Sequence, residues 1–554
     1  MPAKNKLRDL SRDLRELARD PVIAIITAVL AAGLFLFIVY PILLVLVKSL
    51  FPEGNFSFSL FETFFRKKIH YRALLNSLAL AGITTPATTA LAFVFAFMVN
   101  RGPKRLRGFF RVNAVIPFVT PPFVFSLALI IIGGRQGLIS RFFDIEFSLF
   151  GWPGVIIAQV LHFIPLCFIM IDNVLRSLNP NVEEAAYNMG AGQVKALFTI
   201  ILPLCLPGLL KAGLLVFILS LADFGNPALI GRGISFLAVE AYLLVIGQYE
   251  LRMASVYSVM LLVPSLVLYI IHRYVIHEDK YQTITGAPGA REEHWVAPII
   301  QIPMLIVCFL TSAAILLIFV VIIAGAFTKI IGINHTLTLN HFSLTKSLFV
   351  LKNSVVVSFY SAIGGACAGT FLAYVLVRKP VPAKNVLELI SLSGFAVPGT
   401  IIGIGFILAF NSPPIQLTGT MIIIVLSMIS RTIAVSVEAG LAKLYQIGST
   451  IEEASTNMGA SSIYTFIKIL LPLMFTAFFG GMIYSFIHAM NTLSAVIFIT
   501  PPQFMLAPIS IFQLAAEGRI GQACSLSLFL ILSVFASLAI LNVVTKKTGL
   551  RGLA

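Results

Sequence analysis

Long stretches of this chain carry no Asp, Glu, Lys or Arg, among them the 27 residues Pro21–Val47, the 34 of Trp295–Thr328 and the 25 of Asn353–Val377. About 20 apolar residues cross the hydrocarbon core of a bilayer as a helix, so each run is long enough to span. Such a run admits few folds, because in lipid every backbone N–H and C=O must be satisfied within the helix or within a closed barrel. Barrel strands alternate apolar and polar residues in segments of about ten, and no such alternation is found here. Composition agrees, since 58% of the 554 residues are hydrophobic and 11% charged, where soluble domains keep roughly a quarter charged. The chain is therefore read as an all-α polytopic membrane protein whose first partner is the lipid bilayer.

Charge-poor segments set against turn signals predict about 12 transmembrane helices, on residues 22–48, 74–99, 111–134, 150–174, 203–228, 252–274, 297–326, 353–377, 388–410, 416–438, 472–498 and 520–544. The uncharged stretch Leu389–Ser430 is too long for one helix, and Asn411-Ser412-Pro413-Pro414 splits it, because paired prolines after Asn and Ser favour a turn. With both termini on the cytoplasmic side, about two-thirds of the 39 Lys and Arg residues fall inside, the bias expected of a multi-pass protein of the bacterial inner membrane. The net charge of +16 is thereby assigned to topology and not to nucleic acid. One outer loop, with Arg66, Lys67, Lys68 and Arg72, runs against the bias. The five cysteines are scattered and form no C-x-x-C pair, so they read as packing residues.

A repeat then organises the chain. Glu183-Glu184-Ala185-Ala186-Tyr187-Asn188-Met189-Gly190-Ala191 recurs 269 residues later as Glu452-Glu453-Ala454-Ser455-Thr456-Asn457-Met458-Gly459-Ala460. The register continues through Ile200-x-Leu202-Pro203 and Ile469-x-Leu471-Pro472, and Asn76-Ser77 reappears as Asn353-Ser354. Six helices per half place both copies on the same face, which is a parallel duplication. The expected parts are a cytoplasmic N-terminal segment 1–20 with the spacing of a short surface helix, a first half 21–275, a polar linker 276–296, a second half 297–545 and a cytoplasmic tail 546–554.

The pattern E-A-A-x3-G-x9-I-x-L-P resembles the signature loop of permease subunits in binding-protein-dependent (type I) ABC importers, and only Ser455 departs from it. The resemblance implies the MetI-like permease fold, with each loop forming two short helices joined at Gly190 or Gly459 and seated in a cleft of an ATPase. Ala185, Ala186 and Ala454 are small enough for close helix contact. Glu183, Glu184, Glu452 and Glu453 supply carboxylates, of which Glu184 and Glu453 are available to a basic partner. Pro203 and Pro472 suit the first turn of the next helix. No G-x-x-x-x-G-K-[ST] occurs, so the chain has no phosphate-cradling loop of its own. ATP use is thus expected of a separate subunit in two copies, an extracytoplasmic binding protein is expected to deliver the solute, and neither a bound cofactor, a metal site nor enzymatic chemistry is expected in this chain.

Ionisable and amide groups at membrane depth mark the candidate path. These are Asp223 and Asn226 in the first half, Asn491 and Thr492 opposite, and His162 with Arg431, which occupy equivalent repeat positions. Pro117, Pro121, Pro122 and Pro398 fall in the third helix of each half, where membrane helices tolerate kinks. Ala222-Asp223-Phe224-Gly225-Asn226-Pro227-Ala228-Leu229 and Tyr281-x-Thr283-x-Thr285-Gly286 are similar to the ferric-iron permease branch, which implies ferric iron as the solute. Permeases for sugar phosphate, aminoethylphosphonate and thiamine share the architecture, and an ion-coupled secondary carrier is the competing class. Carriers keep ionisable relays near mid-membrane, whereas Asp223 faces Thr492 and has no acidic counterpart.

Overall fold

The computed structural model describes residues 20–271 and 296–547. The segment 1–19, the interhalf residues 272–295 with the Tyr281 string, and the last residues of the tail lie outside the described residues. Ten helices are long and apolar enough to span a membrane, and two bent pairs bring the number to 12. They fall six to a half: Pro21–Leu50, Lys68–Arg101, Pro122–Phe143, Trp152–Ser177, Gln193–Ala222 and Leu251–Ile270, then Pro298–Phe327, Leu344–Arg378, Lys384–Gly394 with Gly399–Phe410, Met421–Gln446, Ser462–Leu473 with Phe475–Asn491, and Ile520–Leu541.

Each half is built on one three-helix core. Lys68–Arg101 packs on Trp152–Ser177 and on Leu202–Ala222, and Leu344–Arg378 packs on Met421–Gln446 and Phe475–Asn491. Lipid tails are as apolar as leucine, so close packing and not hydrophobic exclusion must hold such helices together. Small residues supply it: a Cβ on Gly369 would sit 2.5 Å from Ser436 Cβ, and one on Gly440 would sit 2.6 Å from Ala373 Cβ. The first helix of each half crosses over. Tyr40–Leu50 lies on Gly399–Phe410 of the second half, while Pro298–Phe327 lies against Lys68–Arg101 and Pro122–Gly133 of the first. The two halves therefore interlock.

Several elements depart from the sequence reading. The third crossing of each half is broken at its prolines: Lys104–Val115 gives way to Ile116–Val119 and then Pro122–Gly133, and Lys384–Ala396 gives way to Gly399–Phe410. A proline disfavours the helical conformation in the residue before it, which is why the helices stop there. Pro203 and Pro472 do not open a new helix. Each follows a π-helical turn, Leu197–Ile201 and Phe466–Leu470, inside a helix that began at Gln193 or Ser462. The wider turn leaves room for a ring that an α-turn would reject. A two-stranded hairpin, Thr328–Ile330 with Asn334–Leu337, caps the end of Pro298–Phe327.

Two short apolar helices, Leu237–Gly247 and Ala507–Ala516, occupy segments read from sequence as connections or helix ends. The repeated Asn-Ser pair explains them. Ser77 Oγ accepts the Leu237 N–H at 2.9 Å while Asn76 Nδ2 donates to Ser235 O at 3.0 Å. Ser354 Oγ accepts the Ala507 N–H at 2.8 Å while Asn353 Nδ2 donates to Met505 O at 3.2 Å. The first N–H groups of a helix have no partner within it, and the two serine hydroxyls provide one in each half while the asparagines hold the carbonyls just before the helices.

Candidate functional site: two coupling loops and a cavity between the halves

The first loop folds as Pro180–Asn188, a turn at Gly190, and a helix from Gln193. The second folds as Thr450–Asn457, a turn at Gly459, and a helix from Ser462. Gly190 has φ +82° and Gly459 φ +84°, a conformation that glycine alone adopts without steric cost. A Cβ at either would meet nothing within 4 Å, so the surface beside each turn is open. Met189 and Met458, just before the glycines, are 82% and 81% exposed. The two methionines are a further feature shared by the loops that the motif alone does not single out.

The two glutamates of each loop divide their work. Glu183 forms an ion pair with Arg101, and Glu452 pairs with Arg378 at 2.6 Å. Arg101 and Arg378 end the long second helices, so each pair bolts a loop to its own half. Burial pushes the Glu452 carboxyl up, against the pull of Arg378. Glu183 and Glu452 thus face inward, while Glu453 and the neighbouring Ala185 and Ala454 are exposed and Glu184 is half-buried. The arginines were legible: continuing the 277-residue offset of Asn76 and Asn353 along the helix places Arg101 on Arg378. Ser455, the one departure from the motif, is buried and bonds Thr465 at 2.8 Å, where the first half has Ala186 and Ala196, both buried.

The path residues meet at a cavity of about 130 Å³ between the halves, lined by His162, Asp223, Arg431, Asn491 and Thr492 among others. Asn226 does not line it but holds Asp223 in place. Asp223 Oδ2 accepts from Gln159 Nε2 at 2.9 Å and Asn226 Nδ2 at 2.8 Å, and its Oδ1 accepts the Gly225 N–H at 3.1 Å. Gln159 is in turn held by Thr84 and Ser220, and Asn226 by Ser126. His162 Nδ1 of the first half, and Arg431 Nε and Nη1 and Asn491 Oδ1 on the facing second-half wall, are buried with no hydrogen-bond partner among the described residues. Tyr484 and His488, stacked with ring centroids 5.8 Å apart, complete that wall. The sequence reading missed both, because the first half has Leu215 and Leu219 at those positions. Among the described residues, no group of three or more His, Cys, Asp or Glu could hold a metal ion.

Comparison with known proteins agrees with this geometry. The family model for binding-protein-dependent transport system inner membrane components matches twice, over residues 88–277 and 365–548. The ferric transport system permease protein FbpB of Actinobacillus pleuropneumoniae is 31% identical over 91% of this chain and 75% of its own length. The putative ferric transport system permease protein FbpB 1 of Haemophilus influenzae is 32% identical over 84% and 76%. A putative 2-aminoethylphosphonate permease of Salmonella paratyphi A, PhnV, matches over 38% of the chain and 81% of itself at 27% identity. With two copies of the family domain in one multi-pass inner-membrane chain, the protein belongs to the binding-protein-dependent ABC importer permeases and is a transport component, not an enzyme.

Proposed function

We propose that the chain forms the whole transmembrane pathway for ferric iron, delivered by an extracytoplasmic binding protein and driven by two copies of a separate ATPase. In this reading the termini are cytoplasmic, the chain binds no cofactor, and ATP is consumed by the partner. The observation that carries the reading is the pair of exposed turns at Gly190 and Gly459, alike in backbone angle, in the methionine before them and in the ion pair behind them. Each loop ties its exposed face to the end of a core helix through Arg101 or Arg378, so a push on the loop is delivered to the helix that packs against those walling the cavity. Iron as the solute is supported by the names of the relatives that align over most of the chain.

The test is uptake of labelled ferric iron into vesicles holding the permease, its ATPase and its binding protein. Uptake should stop on ATP depletion and continue when the proton gradient is collapsed. Uptake that follows the gradient instead would make the chain a secondary carrier. A binding protein that copurifies with a phosphonate, sugar phosphate or thiamine would replace iron as the solute.

A further inference from the structure

We infer that the cavity between the halves is an anion site, in which Arg431 binds an oxygen of a phosphate or carboxylate group, so that iron crosses as an anionic complex and not as the bare ion. The inference rests on the permease reading and names the chemical form of what passes.

Three observations converge on it. Arg431 lines the cavity, and its Nε and Nη1 are buried without a partner among the described residues. A guanidinium presents paired donors in a planar fork that matches carboxylate and phosphate oxygens. Leaving such donors empty in a buried site is costly. An oxyanion in the cavity would supply an acceptor that the described residues do not give this guanidinium.

The second observation is the state of Asp223. It is the one carboxylate among the lining residues, and its oxygens are already held by Gln159, Asn226 and the Gly225 N–H. The first half thus occupies its acid with amide and backbone donors, and no carboxylate forms an ion pair with the second half's Arg431 among the described residues. A bare trivalent cation entering here would meet an arginine, two imidazoles and a carboxylate whose lone pairs are spent. Small anions meet the opposite: the Arg431 fork, with His162 and His488 beside it.

The third is the charge that lies beyond the cavity along a neighbouring helix. Pro122–Gly133 borders the cavity at Pro122 and Phe123, and at Ile130 and Ile131 it borders a second, larger pocket. That pocket is lined by Arg135, Arg141, Arg232, Lys329 and Arg519, with no carboxylate among its described lining residues. Positive charge at both ends of one pathway helix raises the local concentration of anions.

The experiment uses the full chain in lipid nanodiscs, titrated calorimetrically with inorganic phosphate, citrate and ferric citrate. The wild type should bind at least one saturably. Arg431→Gln should weaken that binding about ten- to a hundredfold, the loss of one charge-assisted contact. Arg431→Lys, which keeps the charge and loses the fork, should fall between them, and the melting temperatures should show all three chains folded. Binding of phosphate or citrate alone identifies a site for free anion, and binding of ferric citrate alone identifies one for the iron-bound form. No saturable binding to the wild type, or equal binding to Arg431→Gln, overturns the inference. Labelled iron uptake by cells separates the two readings. Chain-dependent uptake that is indifferent to Arg431 sinks the anion site and leaves the importer standing. Arg431-dependent anion binding without any iron uptake does the reverse.

Discussion

The two copies of the loop match closely within this molecule, and the two walls of the cavity do not. Between the two loops, the glycine angles differ by 2°, the exposed methionines match, and each inner glutamate has its arginine. Between the two walls of the cavity almost nothing matches. Gln159, Asp223 and Asn226 of the first half correspond to Met428, Thr492 and Ala495, while Arg431, Tyr484 and His488 of the second correspond to His162, Leu215 and Leu219. If the loops receive two copies of one ATPase, as proposed, their surface is held to one solution. A cavity that meets a single solute has no such constraint and can give its two walls different chemistry.

The helices carry the same contrast. Gln193–Ala222 runs on as one span after its π-turn, whereas Ser462–Leu473 and Phe475–Asn491 meet at 76°. Equivalent loops therefore feed into inequivalent levers, and the wall bearing Arg431, Tyr484 and His488 is the one with the bend.

The largest effect should come from the shared part. Gly190→Asp together with Gly459→Asp puts a carboxylate on each open turn, and solute uptake should fall about a hundredfold, the cost of losing interface contacts worth about 3 kcal/mol. The chain should still reach the membrane, because a Cβ there meets nothing and the strain of Asp at these positive φ angles costs only about 1–2 kcal/mol per site. Next is the attachment behind the loops. Arg101→Ala or Arg378→Ala leaves a glutamate shielded from water and unpaired, and should lower stability by about 3 kcal/mol. Thermal unfolding in detergent measures it, and equal losses from the two variants would sharpen the comparison. Unequal losses would break the equivalence of the loops.

The asymmetric part makes the third prediction. Asp223→Asn replaces an acceptor of three hydrogen bonds, two of them from side-chain amides, and should cost about 2 kcal/mol. Thr492→Ala loses only a bond to the His488 carbonyl of its own helix and should cost about 0.5 kcal/mol. The same melting experiment compares them, and similar losses would contradict the division of labour between the walls. A smaller effect than that of Asp223→Asn is in the loops again. Ser455→Ala removes the bond to Thr465 and should cost about 1 kcal/mol in the same melting experiment, and because Thr465 keeps its bond to the Ser461 carbonyl, adding Thr465→Ala should recover none of it.

How much was legible follows the physics. The spans show in sequence because about 20 uncharged residues have few other uses, and the loops show because the same string occurs twice. The short helices Leu237–Gly247 and Ala507–Ala516 did not, since a short apolar helix resembles a connection until its buried N-terminus and the Asn-Ser pair that caps it are seen together. The breaks before Pro122 and Pro398 were read as kinks, because a proline announces a disturbance and tertiary packing decides its size. Asp223 and Arg431 stood out as charges in apolar surroundings, but Gln159, Tyr484 and His488 did not, being ordinary occupants of membrane helices until the cavity gathers them. Arg101 and Arg378 needed a second repeat offset, 277 residues where the loops use 269.

Central to this account is that one chain offers two equivalent docking loops. Native mass spectrometry of the assembled importer tests it directly. The account predicts two ATPase copies per permease chain, one copy with either Gly190→Asp or Gly459→Asp, and none with both. Two copies retained on the double variant would contradict it.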